Sequence, residues 1–451
     1  MMNREFTDDW VRAALGLSGG NDHQYRGICT DTRIITAESL FVALAGERFD
    51  AHDFLSQARD AGATGAVVRR GTPPVAGLVC YQVDDTLRAL GDLAAAQRRR
   101  FEGPVIASTG QNGKTSTKEM VAAVMGTRWQ THKTRANLNN LIGVPLTVLE
   151  APGTTEALVV EAGANQPGEI ARYREILRPD IAVVTSAGQG HLEGFGGVAG
   201  VIREKLSLTV DAPLAIVGTN PADLLSGAKA LARRVITAGL RDADVTPIGV
   251  TLTRDGRPEV AIDGERFTLA ALGTHQAGNA MFAWAVAREF GLDRAACARA
   301  LEQFTLPSGR GELSHHGALT ILNDSYNANP QSFATVIELA RAIRAGRRLV
   351  FVAGTMRELG GESAALHAEV AGLLAALEPD LLVLVGDFVG AFAPYREQFG
   401  GRLLEGPDAP SVAAPLVGRL RGDELLVLKA SRGVALERIL PAILALPVTT
   451  A

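Results

Sequence analysis

Short apolar runs recur along the chain, each followed by a polar or glycine-rich stretch and then by a segment of helical periodicity. In the first part, LFVALAG (40–46) and GAVVRR (65–70) read as strands, and HDFLSQARDAGA (52–63) reads as a helix. The helix DTLRALGDLAAAQRRRF leads into the strand PVIAST, and STKEMVAAVM is the next helix. ALVVEAGA (157–164), IAVVTSAG (181–188) and LAIVGTN (214–220) predict further strands alternating with helical stretches, the rhythm of parallel strands with crossover helices. LTRDGRPEVAIDGERFTL (252–269) breaks that rhythm, and its two Asp-Gly turns predict hairpins at an edge. HQAGNAMFAWAVAREFG (275–291) is a helix. The last part resumes the rhythm with TILNDSY, RRLVFVAG, DLLVLVGD and ELLVLKAS, whose unalternating apolar character suits strands buried on both faces.

The expected fold is therefore α/β in three domains: a small α/β unit over 1–83, a unit with a mostly parallel sheet over 84–312, and a third unit over 313–451 that repeats the α/β rhythm. Polar or glycine-rich residues follow strand after strand, as in STGQNGKT, EAGANQ, TSAGQGH, NDSYNAN, AGTMREL and KASRG. Ligands of open parallel sheets bind outside the carboxyl ends of the strands, so these loops are the place to look for chemistry.

Composition narrows the class. The chain has 451 residues, 47% apolar and 21% charged, with a net charge of −4, which gives no reason to expect nucleic acid or an anionic membrane as partner. Its three cysteines, Cys29, Cys80 and Cys297, are widely spaced, which argues against a disulfide framework or a zinc site and for a reducing compartment. The N-terminus is too acidic and interrupted for a signal peptide, and no apolar run approaches a membrane span. The cytoplasm is the expected location.

The strongest chemical signal is Ser108-Thr109-Gly110-Gln111-Asn112-Gly113-Lys114-Thr115-Ser116, between a strand and a helix. It departs from the strict phosphate-loop pattern only at Ser108. Gly110 and Gly113 let the backbone curl towards phosphate oxygens, Lys114 supplies charge, and the Thr115 or Ser116 hydroxyl can take Mg2+. Glu161 ends the strand ALVVE, and His191 follows IAVVTSAGQG; a carboxylate is a natural Mg2+ ligand and the histidine an acceptable partner. Lys205 lies in the helical stretch GVAGVIREKLSL, and spacing alone does not single it out.

TGQNGKTSTKEM, ANLNNLIGVPLTVLE, VEAGANQPGEI, TSAGQGHLEGFGGVAGVIREK, GTHQAGNA, GRGEL, NDSYNANPQS and KASRG occur in that order, and the chain resembles the Mur ligase family over essentially its whole length. NLNNLIGVP, GANQPGEI, HLEGFG and YNANP, with TDTRIITAESLFVALAGERFDAHDF near the start, point to the branch that joins D-alanyl-D-alanine to a UDP-muramoyl tripeptide. The resemblance implies ATP as phosphoryl donor, two Mg2+ ions, an acyl-phosphate intermediate, an N-terminal domain for the UDP-sugar end, a central P-loop ATPase and a Rossmann-like C-terminal domain that closes over the nucleotide; a monomer is expected.

Carried over by position, Lys114, Thr115 and Ser116 would hold phosphates and Mg2+, while Glu161 and His191 would bind a second Mg2+. Lys205 matches the lysine that becomes carbamylated, which turns a cation into an anionic oxygen donor and requires a transiently neutral amine. Asn137 and Asn279 would reach the adenine, Arg310 the transferred phosphate, and Asp324, Tyr326 and Asn327 the ribose and base. Thr32 and Arg33 would face the uridine nucleotide, with Lys429, Ser431 and Arg432 on the substrate side. Three positions depart from the family pattern: Thr355 replaces an acid, and Ala430 and Ala51 replace glycines, where positive φ would be resisted. The alternatives are a same-fold ligase for another amino acid or polyglutamate, separable by offering single amino acids, and a non-catalytic nucleotide-binding regulator. The latter would show no phosphate release dependent on both substrates.

Overall fold

The computed structural model describes residues 2–46, 49–188 and 192–447, with the side chains of 192 and 193 left out. Five sheets form among the described residues. β1 (Phe6–Thr7) and β2 (Gln24–Tyr25) pair as an antiparallel ribbon. β3 (Gly27–Cys29), β4 (Ser39–Val42), β5 (Ala63–Arg69) and β6 (Val79–Val83) follow as a parallel sheet in chain order.

The central sheet contains β7 (Val105–Thr109), β8 (Thr131–Lys133), β9 (Ala157–Glu161), β10 (Ile181–Val184), β11 (Leu214–Val217) and β12 (Val235–Thr237). Its spatial order is β12-β11-β10-β7-β9-β8, all parallel. The chain leaves β7 towards β8 and β9 on one side and then crosses to β10 on the other. β7 therefore stands at the topological switch point, where the loops beyond the carboxyl ends splay apart and leave a crevice.

β13 (Gly249–Leu252), β14 (Pro258–Ile262) and β15 (Glu265–Thr268) form the antiparallel meander the Asp-Gly turns predict. Asp263 and Gly264 both have positive φ, 52° and 88°, the requirement of a tight hairpin turn.

The C-terminal sheet contains β16 (Glu312–His316), β17 (Leu319–Asp324), β18 (Leu349–Gly354), β19 (Leu381–Val385), β20 (Leu403–Gly406) and β21 (Leu425–Lys429). Its order is β16-β17-β21-β18-β19-β20, parallel except for β16. β21 lies between β17 and β18, so loops a hundred residues apart in the chain become neighbours.

Packing follows the apolar runs. One continuous core joins the N-terminal sheet to the central one: Phe6, Tyr25, Leu40 and Val67 cluster with Leu90, Leu93, Val105, Leu158 and Val184. The helix Thr86–Arg99 supplies Leu90 and Leu93, so it cements the two units instead of merely linking them. The C-terminal sheet has its own apolar layers on its two faces, with Leu272 of the central unit joining one of them.

The expected helix over 52–63 is shorter than its pattern. A 3-10 turn, Ala51–Phe54, comes first because the Asp50 side chain caps His52 N, and the α-helix runs only Leu55–Asp60. Gly62, at φ 114°, turns the chain into β5. Among the described residues no helix is long and apolar enough to cross a membrane.

Candidate active site

The phosphate loop leaves β7 and enters the helix Lys114–Met125 through Gly113, which caps it with φ 80°. A methyl group at Gly113 would come within 2.4 Å of Asn279 Oδ1, and one at Gly110 within 2.0 Å of Thr185 Oγ1. These two glycines are thus required by close approach as well as by backbone angle. The loop is strapped to the end of β10: Gln111 N donates to Ser186 O at 2.8 Å, Asn112 N to Ser186 Oγ at 3.0 Å, and Thr185 Oγ1 to Asn112 O at 2.6 Å. Lys114 Nζ lies over the loop, bonded to the carbonyls of Gly110 at 2.7 Å and Gln111 at 3.1 Å. Burial lowers the pKa of its ammonium, with Glu161 opposing and Arg310 reinforcing the shift.

Glu161 ends β9, the strand beside β7. Its Oε1 accepts from Thr115 Oγ1 at 3.1 Å and from Asn139 Nδ2 at 2.9 Å. Its Oε2 is buried with no hydrogen-bond partner among the described residues. An uncompensated buried carboxylate oxygen costs about 1–3 kcal/mol, so this arrangement fits a divalent cation better than a closed structural contact. Among the described residues no group of three or more His, Cys, Asp or Glu gathers in one place. Ser116 is buried in the first turn of the same helix. His191 lies outside the described residues.

Lys205, on the helix Val198–Leu206, is 1% exposed, with Nζ 5.9 Å from the centre of the Phe195 ring. Burial and the nearby Lys114 bring its pKa down to about 7, against the pull of Glu204 and Glu169. Glu204 itself fixes the helix end, accepting from Gly168 N and Ile170 N at 2.9 and 2.8 Å.

The C-terminal unit faces this crevice with the loop after β17. In the parallel register Asp324 stands opposite Lys429, whose Nζ donates to Asp324 Oδ2 and to Asn327 O, both at 2.6 Å. Lys429 is 2% exposed, so its charge is committed to holding this loop. Ser431 accepts from Arg357 N at 2.9 Å and is buried, whereas Arg432 is exposed and paired with Glu437. Tyr326 N donates to Gly309 O at 3.1 Å, and the Arg310 guanidinium lies 4.0 Å from the centre of the Tyr326 ring, with Arg432 at 5.8 Å. Arg310 Nε is buried without a hydrogen-bond partner among the described residues.

Asn279 sits on the helix Thr274–Glu289 against Gly113, its Nδ2 on Gln276 Oε1 at 3.0 Å. Asn137 is exposed in the loop after β8, two residues before Asn139. Thr32 and Arg33 lie in the 3-10 turn Thr32–Ile34, where Arg33 pairs with Asp31 at 2.5 Å. Nearby is a cleft of about 480 Å³ between the N-terminal and central units, whose lining includes Arg4, Arg26, Ile34, Thr36, His132 and Arg135.

Residues outside the expected set also build the site. Asn139, Thr134, Thr185, Ser186 and Asn112 all hold the cradle or its carboxylate. The run of asparagines in NLNN was the available signal for Asn139. The three departures are accommodated: Ala51 and Ala430 do not have positive φ, and Thr355 Oγ1 accepts from Asp387 N at 2.9 Å, capping the helix Asp387–Ala391.

Comparison with known proteins covers the chain. Residues 109–287 match the Mur ligase middle domain and 309–429 the Mur ligase glutamate ligase domain. The UDP-N-acetylmuramoyl-tripeptide–D-alanyl-D-alanine ligase of Bacillus subtilis is 34% identical over 443 residues, covering 94% of each chain. The ligase of the same name from Escherichia coli is 36% identical over 382 residues, covering 81% of this chain and 82% of its own. A crystal structure of MurF from Acinetobacter baumannii superposes with a TM-score of 0.89 at 28% identity, covering 98% of this chain and 99% of that one. MurF from Thermotoga maritima in complex with ADP gives 0.81 at 26% identity, over 93% and 97%.

Proposed function

The chain belongs to the Mur ligase family, and we infer that it joins D-alanyl-D-alanine to UDP-N-acetylmuramoyl tripeptide at the expense of ATP, in peptidoglycan precursor synthesis. The observation that carries this reading beyond family membership is convergence. A glycine-lined phosphate cradle, the Glu161 carboxylate with its unpartnered Oε2 and the Arg310 guanidinium from the junction with the C-terminal unit meet around Lys114.

The tripeptide's terminal carboxylate attacks the γ-phosphorus of ATP, the bond to the bridging oxygen breaks, and ADP leaves. The amine of D-alanyl-D-alanine then attacks the acyl carbon, the carbon–oxygen bond to phosphate breaks, and the nitrogen gives up a proton. Lys114 and the loop N–H groups hold the phosphates, and Arg310 approaches the charge that develops during transfer. Glu161 and Thr115 would hold Mg2+, which when bound neutralises phosphate charge. Asn137 and Asn279 would reach the adenine, and Asp324, Tyr326 and Asn327, from the loop after β17, the ribose and base. Closure of the C-terminal unit keeps water from the acyl phosphate.

The cleft beside Thr32 and Arg33 suits the diphosphate of the UDP-sugar: Arg4, Arg26 and Arg135 line it, and a diphosphate would take the place of Glu38 and Glu150, which pair with the last two. Burial lowers the pKa of His132, leaving it a neutral hydrogen-bonding group there. Lys205 suits carbamylation, since an amine with a pKa near 7 is substantially neutral under physiological conditions. Arg432, which is exposed, would lie on the substrate side, with Ser431 buried behind it and Lys429 keeping the neighbouring loop in place.

The test is phosphate release with UDP-muramoyl tripeptide, with D-alanyl-D-alanine, and with both. Release that requires both is expected; release with single amino acids instead would replace the reading. For the carbamate, Lys205→Ala is expected to be inactive and partly rescued by a short-chain carboxylic acid. Full activity without rescue would sink it.

A further inference from the structure

The side chain of Asn112 leaves the phosphate loop and reaches the C-terminal unit. Its Oδ1 accepts from Asn329 Nδ2 at 2.7 Å, and its Nδ2 donates to Gln331 Oε1 at 2.8 Å. Its backbone is meanwhile fixed within the central unit, on Ser186 Oγ and Thr185 Oγ1. One residue of the cradle is thus bonded on both sides of the crevice.

The direction of these bonds is set locally. Asn329 caps the helix Pro330–Ile343, its Oδ1 accepting from Ser332 N at 2.9 Å while Ser332 Oγ accepts from Asn329 N at 3.0 Å. With its oxygen engaged there, the Asn329 amide can offer only its NH2 group across the crevice. That makes Asn112 Oδ1 the acceptor and leaves Asn112 Nδ2 as donor to Gln331. The order of donors is therefore dictated by a helix cap, and none of the three amides can flip without losing a bond. Asn329 in turn adjoins the loop that Lys429 and Ser431 hold, the loop whose Tyr326 carries Arg310.

We propose that Asn112, through Asn329 and Gln331, is a positioning residue that latches the C-terminal unit onto the phosphate loop and so sets Arg310 opposite Lys114. The proposal rests on the ligase reading above. Rigid-body opening breaks both bonds at once, so cradle geometry and closure are coupled. A chain without the latch spends more time open. Water then attacks the acyl phosphate, regenerating carboxylate and releasing phosphate, and ATP is consumed without forming an amide.

The decisive variant is Gln331→Leu, because Gln331 is exposed and its replacement leaves the core alone. Losing one neutral hydrogen bond predicts a kcat roughly two- to tenfold lower, an unchanged KM for ATP, and more than one phosphate per amide formed. Gln331→Glu keeps an acceptor for Asn112 Nδ2 and is expected to behave as the parent. Asn112→Ala should show the same uncoupling, and adding Gln331→Leu to it should change little further. A Gln331→Leu protein with parental kcat and one phosphate per amide overturns the latch, as does a Gln331→Glu protein that matches Gln331→Leu.

X-ray scattering with a non-hydrolysable ATP analogue and Mg2+ reads the latch without any ligation. Both leucine and alanine variants should be more extended than the parent, and equal dimensions overturn the proposal. A parent that released no phosphate with both substrates would sink the ligase reading alone, since scattering still decides the latch.

Discussion

The Arg310 guanidinium lies 4.0 Å from the centre of the Tyr326 ring, and both residues come from the junction where the central unit gives way to the C-terminal one. The ring face, not the hydroxyl, makes this contact. It holds a long, charged side chain in one orientation beside the phosphate loop, where Arg310 adds to the burial that lowers the pKa of Lys114.

Replacing that ring by an aliphatic side chain should loosen Arg310. A cation–π contact of about 0.5–2 kcal/mol implies a roughly two- to thirtyfold lower kcat for Tyr326→Leu. Tyr326→Phe should keep most activity. Steady-state kinetics of both variants check this, and a phenylalanine variant as impaired as the leucine one would shift the role to the hydroxyl.

Glu161→Gln preserves shape while removing the charge that makes the orphaned Oε2 attractive to a cation. The Mg2+ concentration for half-maximal activity should rise by about tenfold or more. Activity measured across a Mg2+ titration is the check, and an unchanged midpoint would remove Glu161 from the metal site.

Lys205→Met should make the protein more stable while abolishing ligation. The folded chain holds the amine with a pKa of about 7, well below the ordinary 10.5. Between those values the unfolded chain binds more protons, so parental stability rises with pH across that window. The cost of burying the ammonium is complete below pH 7 and gone above 10.5. The melting-temperature advantage of the methionine variant, measured without bicarbonate, should therefore shrink from pH 6.5 to pH 9.5. A constant difference would contradict it.

The N-terminal unit carries a buried polar chain: Tyr25 and Tyr81 hydroxyls meet at 2.8 Å, and Tyr81 donates to Asp8 at 2.5 Å. Burial pushes the Tyr25 pKa up to about 12, so the phenol stays protonated. Tyr81→Phe leaves Asp8 and Tyr25 each short of a partner and should cost about 1–3 kcal/mol. Calorimetry should show an earlier transition, with activity intact at low temperature. An unchanged transition would mean water replaces the lost hydroxyl.

Several elements were legible because their causes are local. The apolar runs that became β5, β7, β9, β10, β11, β17, β18, β19 and β21 need no partner to be recognised, and the two Asp-Gly turns carry their own backbone requirement. Short mixed strands such as β8, with the sequence THK, have no such signature and exist because β9 offers them an edge. The helix over 52–63 was overestimated because its apolar spacing continues through a segment that Asp50 and Gly62 restrict.

By itself the sequence determined the strand–glycine-loop–helix cradle, since its glycines, its lysine and its helix start all lie within nine consecutive residues, 108–116. It also determined the three-part α/β plan, through period and turn chemistry. Tertiary structure alone decided that Lys429 would be held by Asp324, that Tyr326 would carry Arg310, and that Asn112 would meet Asn329 and Gln331 more than two hundred residues away. The physical reason is that such partners follow from strand order, and the insertion of β21 between β17 and β18 is fixed by how whole faces pack, which no local pattern of residues encodes.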